Sequence, residues 1–298
     1  MVPSEIVNSH VVVPLMTKIT KNMIQHSPKL QLIMQYGTGI EGIDIKAASE
    51  AGIYVCKIKS DTSGNAQSCA EHAIYLALAV LRDQKEMANS LFQGKLGRPT
   101  GRTLLNTNIL IYGYGAIGKQ LASRIKAFSV NIAAIKRNWV EDDFEDDHVP
   151  YIDEYGTEKD LSNLIKNRDI IFLCCSQNKE NMGLINNAFM SQMKRGAIVI
   201  NIARGGLLNY SDVYEALESG HLGGLGIDVF HTEPFPISDP LLLHPKVVAT
   251  PHVAGVTVLS YNNMAKMVAE NVIRMRAGLL PLGCINLEEL GIESNIET

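Results

Sequence analysis

The chain has 298 residues, of which 46% are hydrophobic and 19% charged, and its net charge is -4. That length suits two globular domains, each large enough to bury a core. The charge gives no electrostatic case for nucleic acid or an anionic membrane surface, which leaves small molecules as the expected partners. No apolar run approaches bilayer length, the longest being residues 73–81, and residues 1–10 lack the basic and apolar regions of a signal peptide. A cytoplasmic protein is the resulting expectation. The five cysteines, Cys56, Cys69, Cys174, Cys175 and Cys284, are odd in number and show no C-x-x-C spacing. This argues against a disulfide framework and against a metal site, and Cys174-Cys175 reads as strand core.

In chain order, the apolar run 6–14 predicts a strand, 18–26 a short helix, and 30–35 a strand ending in Tyr36-Gly37-Thr38-Gly39, a turn whose amides can face an anion. Residues 45–51 read as helix, 53–57 as strand and 60–64 as loop. A long helix is expected from 65–68 to about 92, with Ser68 and Glu71 at capping-box spacing, and 94–101 reads as an interdomain linker.

The next stretch is the most informative. Ile109-Leu110-Ile111-Tyr112 runs into Gly113-Tyr114-Gly115-Ala116-Ile117-Gly118 and then into a helical pattern through Phe128. A strand, a G-x-G-x-x-G turn and a helix N-terminus together form a cradle for the pyrophosphate of a dinucleotide. Beyond it, 131–135, 170–175, 197–202, 224–229 and 247–250 read as strands, with helices expected at 158–166, 187–194 and 211–218 between them. This alternation predicts an α/β fold with a doubly wound parallel sheet. Residues 139–148 read as an acidic solvated loop, 259–277 as a long amphipathic helix, and 288–298 as an acidic tail.

Three segments place polar residues where parallel strands end: Asn201-Ile202-Ala203-Arg204-Gly205-Gly206, Asp228-Val229-Phe230-His231-Thr232-Glu233-Pro234 and Thr250-Pro251-His252-Val253-Ala254-Gly255. Ligands of such sheets bind outside the carboxyl ends of strands, so Arg204, Glu233 and His252 can converge there. The trio suits reduction of a carbonyl. A histidine quenches the charge that hydride addition puts on oxygen, a carboxylate on its other ring nitrogen fixes the tautomer, and an arginine clamps a 2-oxo acid.

At these motifs the chain resembles the D-isomer-specific 2-hydroxyacid dehydrogenase family, over roughly residues 28–286. The resemblance implies a doubly wound Rossmann nucleotide domain at 99–269 and a smaller flavodoxin-like domain from 1–98 and 270–298, joined by the two long helices acting as hinges. It implies catalytic roles for Arg204, Glu233 and His252, and a homodimer. It also implies cofactor contacts from Gly113, Gly115, Ala116, Ile117, Gly118, Ser176, Ile202, Asp228 and His252, and a substrate carboxylate held by the Thr38-Gly39 turn beside Arg204. Glu233 fits the hydroxyacid branch rather than the formate dehydrogenase branch, which pairs its histidine with Gln.

Two departures shape the expectations. Where the family carries an acidic residue for the adenine ribose of NAD, this chain has Lys136 and Arg137, which suit the 2′-phosphate of NADP(H), with NAD(H) second. The first strand and helix of the small domain have no counterpart, so either the 11–14 strand pairs directly with the 30–35 strand or the domain is N-terminally incomplete. The expected reaction is reduction of a small 2-oxo acid, of the glyoxylate or hydroxypyruvate kind, to a D-2-hydroxy acid. The alternatives are 3-phosphoglycerate oxidation, or an NAD(P)-binding regulatory or interaction protein on the same scaffold.

Overall fold

In the computed structural model, which describes residues 4–58, 63–140, 143 and 151–292, the short apolar runs at the front of the chain pair as parallel strands. They are β1 (Val11–Val12), β2 (Leu32–Met34) and β3 (Tyr54–Cys56), in the order β1-β2-β3. β1 pairs directly with β2, as one of the expectations had it, with Val11 opposite Leu32 and Val12 opposite Ile33. The expected strand at 6–14 is shorter than its apolar run, because Ser4–Val7 is helical and buries Ile6 in the cluster around Ile33 and Val55. The helices Lys21–Gln25 and Ile45–Glu50 start at Thr20 and Asp44, whose side-chain oxygens accept from Met23 N and Ala47 N. The long helix Val258–Arg276 belongs to the same unit and seats Met264 against Leu32, Met34, Cys56 and Ile58. Its buried Asn271 donates to Leu282 O and accepts from Leu282 N, tying down the chain that follows.

The second unit carries a seven-stranded parallel sheet made of β4 (Asn108–Tyr112), β5 (Asn131–Ile135), β6 (Glu154–Gly156), β7 (Ile170–Leu173), β8 (Ala197–Asn201), β9 (Leu222–Ile227) and β10 (Val247–Ala249). The order is β10-β9-β8-β7-β4-β5-β6. Strands buried on both faces need continuous apolar runs, and β4 supplies one: Leu110 and Tyr112 face one core, Ile109 and Ile111 the other. The chain winds outward in both directions from β4 and β7, so a crevice opens at their carboxyl ends. The edge strand β6 has no apolar run behind it and was not expected.

The division between units differs from the expected one. One unit is 1–65 with 258–298 and the other is 66–257. Residues 66–98 join the nucleotide unit because the helix Asn65–Leu81 packs Ala70, Ala73, Leu76 and Ala77 into the core beside Ile109 and Ile198. The expected interdomain linker at 94–101 therefore lies inside that unit. The helix expected to run to residue 92 is broken into Asn65–Leu81 and Gln84–Phe92 by Asp83, which takes a left-handed conformation. Ser68 and Glu71 form no capping box. They lie within the helix, where Ser68 Oγ meets Thr257 Oγ1 at 2.9 Å and Glu71 pairs with Arg124.

Among the described residues no helix is long and apolar enough to cross a membrane, and no group of three or more His, Cys, Asp or Glu could hold a metal ion. Parts of three expected segments, 60–62, 141–142 with 144–148, and 293–298, lie outside the described residues. The described parts of the second are not a solvated loop. Trp139 is half-buried and donates from Nε1 to Gly156 O, and Asp143 is buried.

Candidate active site

The register of the large sheet aligns the polar residues. Leu173 pairs with Asn201, Asn201 with Ile227, and Ile227 with Ala249. Ile202, Asp228 and Thr250 thus leave the sheet at one level, just past the carboxyl ends of β8, β9 and β10, with Arg204 two residues beyond Ile202.

The glycine turn sits at the crevice between β4 and β7. Gly113 has φ 107, and a Cβ there would lie 2.4 Å from Cys175 N; a Cβ on Gly118 would lie 2.3 Å from Gly113 O. These glycines let strand, turn and helix close together. Gly115 is different, since a Cβ there would meet nothing within 4 Å. It opens the helix Ala116–Ile125, whose first turn gains no side-chain cap. A first turn without a side-chain cap, beside the room at Gly115, fits the pyrophosphate of a dinucleotide. Ala116 and Ile117 are the first residues of that helix, Ile202 is buried at the end of β8, and Ser176 is exposed past β7.

The structure brings His252 and Glu233 into contact. His252 Nδ1 lies 2.9 Å from Glu233 Oε2, and Glu233 Oε1 accepts from Phe230 N at 3.0 Å. Burial opposes the charge on Glu233. The hydrogen bonds from His252 and Phe230, with the charges of His252 and Arg204, outweigh it and hold the carboxyl below its ordinary value of 4.5. Arg204 is half-buried, and Nη1 donates to Ala203 O at 2.7 Å. Asn201 shapes its turn, accepting from Ala203 N and donating to Arg204 O. Gly205 permits the closest approach of all, because a Cβ there would fall 2.0 Å from the carbonyl of Phe230.

His252 has φ 56, unusual for a residue with a Cβ. Asp228 holds it there. Its fully buried carboxylate accepts from Thr250 Oγ1 at 2.6 Å and from Val253 N and Ala254 N at 2.8 Å each. His72 completes this network with Nε2 2.8 Å from Thr250 Oγ1. The sequence alone did not bring out His72, which sits in the middle of a helical pattern with no local signature.

At the end of β5 the structure corrects one expectation. The sequence leaves that position without a carboxylate, yet Asp143 returns to it and takes Lys136 Nζ on both oxygens, with Lys119 Nζ at 3.7 Å. Burial opposes its charge, but the hydrogen bonds from Lys136 and Val140 and the charges of Lys136 and Lys119 hold its carboxyl below the ordinary range. Lys136 is thus bonded within the protein, while Arg137 is exposed. Thr38 and Gly39 lie in the other unit, past β2, in a turn fixed by Ile58 N donating to Gly37 O at 3.0 Å.

Comparison with known proteins identifies the family. A family model described as D-isomer specific 2-hydroxyacid dehydrogenase, NAD binding domain, matches residues 74–254. The chain is similar to D-3-phosphoglycerate dehydrogenase of Archaeoglobus fulgidus, 33% identical over 94% of this chain and 52% of that protein. It is also similar to glyoxylate reductase of Korarchaeum cryptofilum, 32% identical over 91% of this chain and 80% of the relative. It spans about half the length of the phosphoglycerate dehydrogenases it matches. Among solved structures, the TT0316 protein of Thermus thermophilus superposes with a TM-score of 0.83 at 28% identity, over 94% of this chain and 87% of that one. The chain belongs to the D-isomer specific 2-hydroxyacid dehydrogenase family.

Proposed function

We propose that the protein reduces a small 2-oxo acid, glyoxylate or hydroxypyruvate in kind, to a D-2-hydroxy acid, using NADPH ahead of NADH. The observation that carries this reading is the 2.9 Å hydrogen bond between His252 and Glu233, at the strand ends where the charge of Arg204 also acts on Glu233.

The dinucleotide would be held by Gly113, Gly115, Ala116, Ile117 and Gly118, with Ser176, Ile202, Asp228 and His252 at its nicotinamide end. Bound there, it supplies a hydride. The acid is the imidazolium form of His252: its Nδ1–H donates to Glu233, and its Nε2–H passes to the substrate oxygen as negative charge develops there, leaving a neutral ring. Arg204 presents a planar fork to the 2-oxo acid, fixing the carbonyl for attack. Lysine cannot reproduce the fork, so Arg204→Lys is expected to lower kcat/KM for the 2-oxo acid by about 10–100-fold with cofactor binding unchanged. Steady-state kinetics with a direct cofactor titration checks this.

Cofactor choice is assigned to Arg137, since Lys136 is engaged by Asp143. Arg137→Ala is expected to lower kcat/KM for NADPH about tenfold while leaving NADH within about twofold. If the unaltered protein used NADH as efficiently as NADPH, the preference would be wrong. The function itself is tested on a panel of 2-oxo acids with both cofactors, beside direct NADPH binding. Turnover of a two- or three-carbon 2-oxo acid is expected, and binding without turnover of any would contradict it.

A further inference from the structure

His72 has no part in the scheme above, yet its ring reaches the network behind His252. It projects from the helix Asn65–Leu81, with Nε2 2.8 Å from Thr250 Oγ1 and 3.6 Å from Asp228 Oδ1. Thr250 has one hydroxyl proton, and at 2.6 Å it goes to Asp228, since a carboxylate only accepts. The His72 contact must therefore run the other way, Nε2–H donating to the hydroxyl oxygen. That assignment fixes the tautomer of His72. Burial lowers its pKa, outweighing the opposing pull of Asp228, and so favours the neutral ring.

The chain of donors has a direction. His72 orients the Thr250 hydroxyl, Thr250 satisfies one Asp228 oxygen, and Asp228 gathers the amides of Val253 and Ala254. His252 lies between these anchors at φ 56, a conformation that residues with a Cβ hold where neighbouring contacts impose it.

We propose that His72 is a positioning residue which, through Thr250 and Asp228, holds the 250–254 turn and hence the His252 ring in place for proton donation. The inference rests on the reading of His252 as the acid.

The test uses the full chain and two replacements: His72→Leu, which fills space without a donor, and His72→Gln, whose amide N–H can replace Nε2–H. His72→Leu is expected to lower kcat about 10–30-fold with KM for the cofactor within about twofold, and His72→Gln to recover kcat to within about threefold of the parent. Without substrate, amide exchange at Val253 and Ala254 should quicken at least about tenfold in His72→Leu and stay parental in His72→Gln, with the β4 amides unchanged in both. In a Thr250→Val background, His72→Leu should add no further loss, because the two act through one contact. The proposal is overturned if His72→Leu keeps kcat within twofold, if Gln is as impaired as Leu, or if exchange at Val253 and Ala254 does not change. An unaltered protein that turns over no 2-oxo acid counts against the function; unchanged exchange in His72→Leu counts against His72, whatever the turnover.

Discussion

Replacing His252 with Gln is expected to lower kcat by about 10²–10⁴-fold, the usual range for a positioned general acid, while the cofactor dissociation constant stays within about twofold. The loss has two conceivable sources, and the backbone separates them. His252 sits at φ 56, where Gln is strained and Asn is well tolerated. His252→Asn keeps that backbone and removes the imidazole, so an equal loss in both variants assigns the effect to chemistry. Pre-steady-state reduction rates with a cofactor titration make the measurement. Asn restoring more than about a tenth of parental turnover would mean that the backbone and not the ring had been damaged.

The second large effect is expected at Gly205. A Cβ there would lie 2.0 Å from both the carbonyl carbon and oxygen of Phe230 and 2.5 Å from His231 N, all of them backbone atoms that cannot swing aside. Gly205→Ala must part the turn carrying Arg204 from the turn carrying Glu233. We expect a loss of about 3 kcal/mol in stability and a fall of more than about 10² in kcat/KM, read from urea unfolding and steady-state kinetics. Gly206→Ala is the internal control. Its Cβ would meet the Gln177 side-chain amide at 2.5 Å, the far end of a flexible group that can move. Equal damage from the two replacements would contradict this account of how the strand-end turns are locked together.

The nucleotide unit could be read from the sequence because a parallel sheet covered on both faces demands unbroken apolar runs, and β4, β7 and β8 have them. Arg204, Glu233 and His252 stand out in the sequence because each follows an apolar run at the end where parallel sheets bind ligands. What escaped depends on contacts distant in sequence. His72 meets Thr250 across 178 positions, and nothing around it departs from helical patterning. Asp143 folds back onto Lys136 from an acidic stretch whose composition suggests only solvent. The break at Asp83 replaces one long helix with two, because the polar stretch Arg82-Asp83-Gln84 reads as a helix surface until a left-handed residue turns the chain. In the small unit, the pairing of β1 with β2 was legible only as one of two alternatives, because a two-residue strand carries too little pattern to choose its partner.

The central claim is that His252, Glu233 and Arg204 reduce a 2-oxo acid. It is tested most directly by supplying the full chain with NADPH and hydroxypyruvate and resolving the glycerate formed into its enantiomers. The account predicts NADPH oxidation matched mole for mole by D-glycerate and abolished by His252→Gln. Formation of L-glycerate, or oxidation that continues undiminished in His252→Gln, would contradict it.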